Sequence, residues 1–273
     1  NFKLGGTIGV LAKLNRQKTD AVIALAGNPN TGKSTVFNGL TGLNQHTGNW
    51  PGKTVVLAKG NYRYKNKIIT LVDLPGTYSL LANSADEQVA RDYICFGNPD
   101  ATVVVVDATC LERNLNLALQ VIEITPKTIL CVNLIDEARR KKIQINYPKL
   151  AELLGIPVVP AAARDKEGLD ALKEEIYQMV FEQKYPQPKS IRYHERIESA
   201  VAKLQREIEP ILQGRLDSRW VALRLLDGDT TIIAEIRNFI CRNEEADPKR
   251  SPNDRKVVGS CGECRKRFES YFI

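Results

Sequence analysis

No apolar run in this chain approaches the roughly 20 residues that a membrane-spanning helix needs. The longest runs, such as 102–106, are the length of a strand. Histidine is almost missing: His46 and His194 are the only two. Neither lies at ligand spacing from Cys261 and Cys264, so that lone CxxC is two ligands short of a zinc site and reads as two free thiols on a tail. Six cysteines are present, but Cys95 and Cys131 sit in apolar surroundings expected to be core. That argues against a disulfide framework and for a reducing compartment. There is no signal-peptide pattern, no internal repeat, and the first residue is Asn rather than Met, as in a fragment or processed chain.

What is present is ordinary for a soluble globular protein: 43% hydrophobic and 26% charged residues. A length of 273 residues accommodates one α/β domain and a smaller second unit. The net charge of +7 allows an acidic partner, nucleic acid or an anionic membrane surface, without choosing between them. Between residues 249 and 267 seven basic residues stand against two acidic ones, which reads as a solvated tail.

From 20 to 184 strand-like runs alternate with helical patterns. Strands are expected at 21–26, 54–64, 67–72, 101–106, 128–132 and 157–160, and helices at 33–40, 85–96, 111–124, 147–154 and 169–181. Ser84-Ala-Asp-Glu87 is a capping box opening the second helix. Such alternation predicts a mostly parallel six-stranded sheet with helices on both faces. A hairpin-like turn at 62–67 makes one strand antiparallel. The segment Gln45-His-Thr-Gly-Asn-Trp50-Pro-Gly-Lys-Thr54 fits neither period and reads as a loop. Tyr185-Pro-Gln-Pro188 marks a linker, after which the pattern is all-helical at 193–213, 218–226 and 230–242. The expected division is an N-terminal extension 1–19, an α/β domain 20–184, a small helical domain 185–243 and a basic tail 244–273.

Three motifs carry chemistry. Gly27-Asn-Pro-Asn-Thr-Gly-Lys-Ser34 matches GxxxxGK[ST] between a strand and a helix. Its glycines let backbone N–H groups curl around phosphate oxygens at a helix N-terminus; Lys33 should reach the outer phosphates and Ser34 should ligate Mg²⁺. The expected phosphate-binding set is Gly27, Asn28, Asn30, Thr31, Gly32, Lys33, Ser34 and Thr35. Asp73-Leu-Pro-Gly76 ends a core strand, where the carboxylate can hold Mg²⁺ through water and the Gly76 N–H can approach a γ-phosphate. Asn133-Leu-Ile-Asp136 follows another strand, and a carboxylate at Asp136 can accept from the two N–H groups that guanine presents and adenine lacks. Taken singly, the second motif also suits a plain turn, and the third an N-cap pair.

Their order and spacing resemble a Ras-like P-loop GTPase domain over 21–181. GNPNTGKST, HTGNWPGKT, LVDLPGTYSL and NLIDEA together resemble the FeoB family of bacterial ferrous iron transporters, and Trp220-Val-Ala-Leu-Arg-Leu-Leu-Asp-Gly-Asp229 resembles a segment of that family's helical, GDI-like domain. The resemblance covers about 21–240. It implies GTP and GDP as ligands with Mg²⁺, GTP hydrolysis, and a place at the cytoplasmic face of the bacterial inner membrane for a fragment itself soluble. It also implies a membrane-spanning part of the same polypeptide as partner, small accessory proteins of the iron-transport system, and oligomerisation through the cytosolic domains. Without the membrane part this chain transports nothing. No nucleic-acid partner is expected, since 190–243 lacks the aromatic or Gly-x-x-Gly features of RNA readers; a ribosome- or RNA-associated GTPase and an adenine-nucleotide ATPase are the competing readings.

The sequence departs from the pattern at three places. Leu134 stands where many relatives of Ras have Lys. The last guanine loop, Ala161, Ala162 and Ala163 after Pro160, lacks the hydroxyl of the usual Ser-Ala pair, which points to a modest nucleotide affinity. Thr77 follows Gly76 where Ras-like enzymes place the water-orienting Gln, so hydrolysis should be slow unless another group helps. Potassium-activated relatives use an Asn of the phosphate loop to hold K⁺. Asn30 matches it, with carbonyls at Gly48 and Trp50 completing the shell. Thr54 is the expected Mg²⁺ threonine of the GTP state, with Thr47 the alternative. Asn30, Lys33, Thr54 and Gly76 form the expected catalytic set, and Thr54 and Gly76 would clamp the two flanking loops while the γ-phosphate is present.

Overall fold

The computed structural model describes residues 19–42, 45–49, 56–81, 84–189 and 191–245. Thr54 and Trp50, residues 1–18, and the basic tail with Cys261 and Cys264 lie outside the described residues. The chain divides into two units, Asn1–Ile191 and Arg192–Ile273.

Among the described residues the first unit holds seven strands: β1 (Ala21–Gly27), β2 (Gln45–Asn49), β3 (Val56–Tyr64), β4 (Lys67–Asp73), β5 (Ala101–Asp107), β6 (Thr128–Asn133) and β7 (Val158–Pro160). Their order across the sheet is β2-β3-β4-β1-β5-β6-β7. β1 pairs in parallel with β4 and β5, and β6 with β5 and β7. β3 alone runs against the rest, being antiparallel to both β4 and β2. Lys65 and Asn66 turn the β3–β4 hairpin, both with positive φ (44° and 62°), as a two-residue hairpin of right-handed twist demands. The six expected strands are present, and a seventh joins them at the edge. Gln45–Asn49, expected as loop, pairs with Val56–Gly60 because the chain there runs back along β3 and finds its free backbone groups.

The helices of this unit are α1 (Lys33–Thr41), α2 (Ala85–Phe96), α3 (Leu111–Ile124), α4 (Ile135–Arg140), α5 (Tyr147–Leu154) and α6 (Leu169–Phe181). Ser84 caps α2 as the capping box predicts, accepting from the Glu87 N–H at 3.2 Å. Because side chains alternate across a strand, each central strand feeds two cores. Val104, Val106, Leu130 and Val132 pack with Val89, Leu117 and Val121 of α2 and α3 on one face. Val103, Val105, Ile129 and Cys131 pack with Phe37, Leu172 and Ile176 of α1 and α6 on the other. Each such side chain, fully buried, contributes about 1.5–3 kcal/mol. β5 therefore carries an unbroken apolar run from Val103 to Val106 without alternation, as a strand covered on both faces should. Cys95 and Cys131 are buried, as expected of core cysteines.

The chain leaves β1 toward β4 on one side of the sheet and later crosses to β5 on the other. The carboxyl end of β1 is thus the topological switch point, where open α/β sheets bind ligands. Residues 185–189 run back along this unit, with the Lys189 N–H donating to the Leu154 carbonyl at 3.0 Å.

The second unit holds α7 (Glu195–Leu212), α8 (Ser218–Asp227) and α9 (Thr230–Glu245). Its interior is Val201, Ile208 and Leu212 with Trp220, Val221, Ile232, Ile236 and Ile240. Asp217 caps α8 by accepting from the Trp220 N–H at 2.7 Å. Glu198 receives both arms of Arg219, at 2.8 and 2.7 Å, and the Tyr193 N–H at 2.7 Å. Among the described residues no helix is long and apolar enough to cross a membrane.

Candidate functional site

The loop from Gly27 to Lys33 lies at the switch point. Gly27 is forced by contact: a Cβ there would meet the Val105 carbonyl oxygen at 2.6 Å. Gly32 is forced by conformation and contact together, with φ of 76° and the Asn133 amide directly against it. Asn30 also takes a left-handed φ, 66°, and is exposed. α1 begins at Lys33 with no side-chain cap and no acidic residue in its first turn, so its opening N–H groups keep their positive end for an anion. Ser34 and Thr35 are exposed in that turn, while Thr31 is buried and donates to the Asn28 carbonyl at 2.9 Å. Asn28 is 2% exposed, and neither its amide nitrogen nor its amide oxygen has a partner among the described residues.

Lys33 and Asp73 form an ion pair between the start of α1 and the end of β4. Burial holds the Asp73 carboxyl above its ordinary range, and the Lys33 ammonium offsets that only in part. The following segment is fastened at both ends. Leu74 donates to Leu25 at 3.0 Å and Thr77 to the Gly27 carbonyl at 3.2 Å; farther on, Leu80 donates to Gln120 of α3 at 2.6 Å. Gly76, exposed, faces Pro29, whose atoms a Cβ would touch at 3.4 Å. Thr77 is buried. Its side chain does not reach out as a water-orienting Gln would.

Asn133 ties the loop Gly27–Lys33, the expected phosphate loop, to the segment Ala161–Ala163, the expected base loop. Its amide nitrogen donates to the Thr31 carbonyl at 2.9 Å, and its amide oxygen accepts from the Ala163 N–H at 3.0 Å. Leu134 adopts φ of 63° and so turns the chain into α4, a helix that the periodicity missed. Asp136 lies in the first turn of α4, one quarter exposed, and accepts from Arg140 at 3.3 Å. Ala161, Ala162 and Ala163 are buried, with Ala161 donating to Val132 at 2.8 Å. Gly48 lies in β2 opposite Leu57, and Thr47 opposite Ala58. Sequence reasoning did not find Gln120, Arg139 or Glu167, whose partners lie 28 or more positions away.

Comparison with known proteins identifies relatives. A family model described as Ferrous iron transport protein B matches residues 21–176. A model of the FeoB cytosolic helical domain matches 193–269, running into the basic tail 244–273 that the sequence sets apart from the helical domain. The Fe(2+) transporter FeoB of Salmonella typhimurium is 41% identical over 219 residues, covering 76% of this chain and 27% of the relative. That of Escherichia coli (strain K12) is 39% identical over 214 residues, with the same coverage. The chain thus spans about a quarter (27%) of the length of these relatives. Among solved structures, the cytosolic domain of T. maritima FeoB in a GDP form has a TM-score of 0.72 and 36% identity, covering 92% of this chain and 96% of that one. Its GMPPNP form gives 0.71 and 35%, with coverage of 92% and 97%.

Proposed function

The chain belongs to the family of ferrous iron transport protein B, and on that premise we propose that it binds and hydrolyses GTP as the nucleotide switch of an iron transporter. In this reading it works at the cytoplasmic face of the bacterial inner membrane, on a membrane-spanning part of the same polypeptide that moves Fe²⁺. The observation that carries it is Asn133, one side chain joining the Thr31 carbonyl of the phosphate loop to the Ala163 N–H of the base loop. Such a bridge makes sense when phosphates and base belong to one ligand.

Within this proposal the uncapped first turn of α1 and the backbone of Gly27–Gly32 cradle the phosphates, and Lys33 turns from Asp73 to the outer ones. The Ser34 hydroxyl and the Asp73 carboxylate are hard oxygen donors of the kind Mg²⁺ takes, so the residues fit that ion. When bound, Mg²⁺ offsets charge on the β- and γ-phosphates. The N–H of Gly76 binds the γ-phosphate, and Thr54, the expected Mg²⁺ threonine, clamps the loop before it while that phosphate is present. Asp136 reads guanine. Thr77, buried and tied to Gly27, orients no water, which supports slow intrinsic hydrolysis. The exposed Asn30 amide, with carbonyls of Gly48 and Trp50, supplies the donor set for K⁺, which would stand where an arginine finger stands elsewhere. Small accessory proteins and other copies of the cytosolic domain are the further partners of this reading.

The test is Asp136→Asn. A guanine site exchanges preference for GTP for preference for xanthosine triphosphate, measured by competition against a fluorescent guanine nucleotide. Unchanged selectivity, or equal affinity of the parent for ATP and GTP, overturns the reading.

A further inference from the structure

Ala162 leaves the base loop without a side-chain hydroxyl, and the structure holds the loop by other means. Ala162 and Glu167 exchange backbone hydrogen bonds, N–H to O at 3.1 Å one way and 3.2 Å the other. They close the turn between them, in which Lys166 takes φ of 61°. Behind the turn Gly168 lies against the Pro160 carbonyl, so closely that a Cβ has no room. The backbone of Glu167 is therefore rigidly coupled to Ala162. Its side chain points to α4: the two carboxylate oxygens accept from the two terminal nitrogens of Arg139 at 2.8 and 2.7 Å. This is the planar, two-bonded arrangement that distinguishes guanidinium from ammonium. Arg140, next in sequence, turns instead to Asp136 and Glu137. The pairing raises the Arg139 pKa and lowers that of Glu167.

One helix thus carries both Asp136, on its first turn, and Arg139. The base loop hangs from Asn133 at Ala163 and from Arg139, through Glu167, at Ala162. We propose that Arg139 and Glu167 are positioning residues that buckle α4 to the base loop and set how long a guanosine diphosphate stays bound. The proposal rests on the guanine-nucleotide reading above. Both side chains are largely exposed, at 63% and 46%, so the buckle is open to screening by salt.

The test measures release of fluorescently labelled GDP from the full chain, with Mg²⁺, for the parent, Arg139→Gln, Glu167→Gln, the double variant and Arg139→Lys. Each Gln substitution is expected to speed release about two- to fivefold, the range that an exposed ion pair supports. The double variant releases no faster than the faster single one, and Arg139→Lys lies between it and the parent. Raising NaCl from about 0.05 to about 0.5 M speeds release from the parent and has less effect on the double variant.

Glu167→Gln is the decisive arm. Arg139 also lies near the Asp136 charge, so acceleration by Arg139→Gln alone means that it acts on Asp136 directly, and the buckle is overturned. Additive singles, or release unmoved by either, overturn it as well while leaving guanine binding intact. A parent that holds no labelled GDP at all brings down the functional reading and the buckle with it.

Discussion

Lys33 and Asp73, 40 positions apart in sequence, are ion-paired across the gap between the first turn of α1 and the end of β4. Burial nevertheless keeps the Asp73 carboxyl above its ordinary value of 3.8. A carboxyl whose folded pKa is raised binds its proton more tightly in the native state, so its contribution to stability falls as pH rises from the unfolded value through the folded one. Asp73→Asn should therefore melt higher than the parent at pH 7, with an advantage that shrinks as pH is lowered toward 3.8. The same variant should lose Mg²⁺-dependent binding of GTP. Thermal melts at stepped pH decide the first half; an Asn variant that melts lower at pH 7 contradicts it.

Gly32→Ala introduces a side chain at φ of 76° and drives it into the Asn133 amide. The left-handed conformation costs about 1–2 kcal/mol, and disturbing the Asn133–Thr31 hydrogen bond about 1 more. The expected result is a melting temperature lower by roughly 5–10 °C, together with loss of nucleotide binding. Gly42→Ala is the control. Its φ is 63°, but nothing among the described residues lies within 4 Å of the added carbon, so it carries only the conformational cost and keeps the nucleotide.

Asn30→Ala tests the K⁺ assignment. Hydrolysis by the parent should be faster in KCl than in NaCl, and the variant should show no difference between the two salts. Phosphate release at matched ionic strength is the measurement. Equal rates for the parent remove the assignment.

In the helical unit, Arg219 and the Tyr193 N–H pull the Glu198 pKa from 4.5 down to about 2. A lowered carboxyl pKa contributes stability that is fully present above the unfolded value and lost as pH falls through the folded one. Glu198→Gln should therefore destabilise this unit at pH 7, by an amount that fades between pH 4.5 and about 2. Trp220 is buried in α8, so its fluorescence during denaturation, in a Trp50→Phe background, follows this unit alone.

What the sequence disclosed and what it hid divide along a physical line. β1, β5 and β6 are covered on both faces, and such strands read as apolar runs through their centres. The phosphate loop was legible because each of its glycines answers a local demand, a carbonyl at Gly27 and a left-handed turn at Gly32. α4 was not legible: it is six residues long, too short for a helical period to declare itself. β2 contains Gly48 and shows no alternation, and its pairing comes from β3 rather than from its own residues. Arg139 and Glu167 each look like a solvent-facing charge until the fold brings them together across 28 positions.

The place of β2 at the rim of the sheet has one more consequence. A rim strand is bonded along one side only, so it can be peeled away without breaking any other pairing. Once it is gone, β3 becomes the rim, with unpaired backbone from Val56 to Gly60. β3 carries Lys59 and Arg63, and Lys65 follows in its hairpin turn. Positive charges of that kind discourage a bare rim from recruiting another chain into aggregates. Were β2 to detach, the bare edge of β3 would on this ground resist seeding a precipitate.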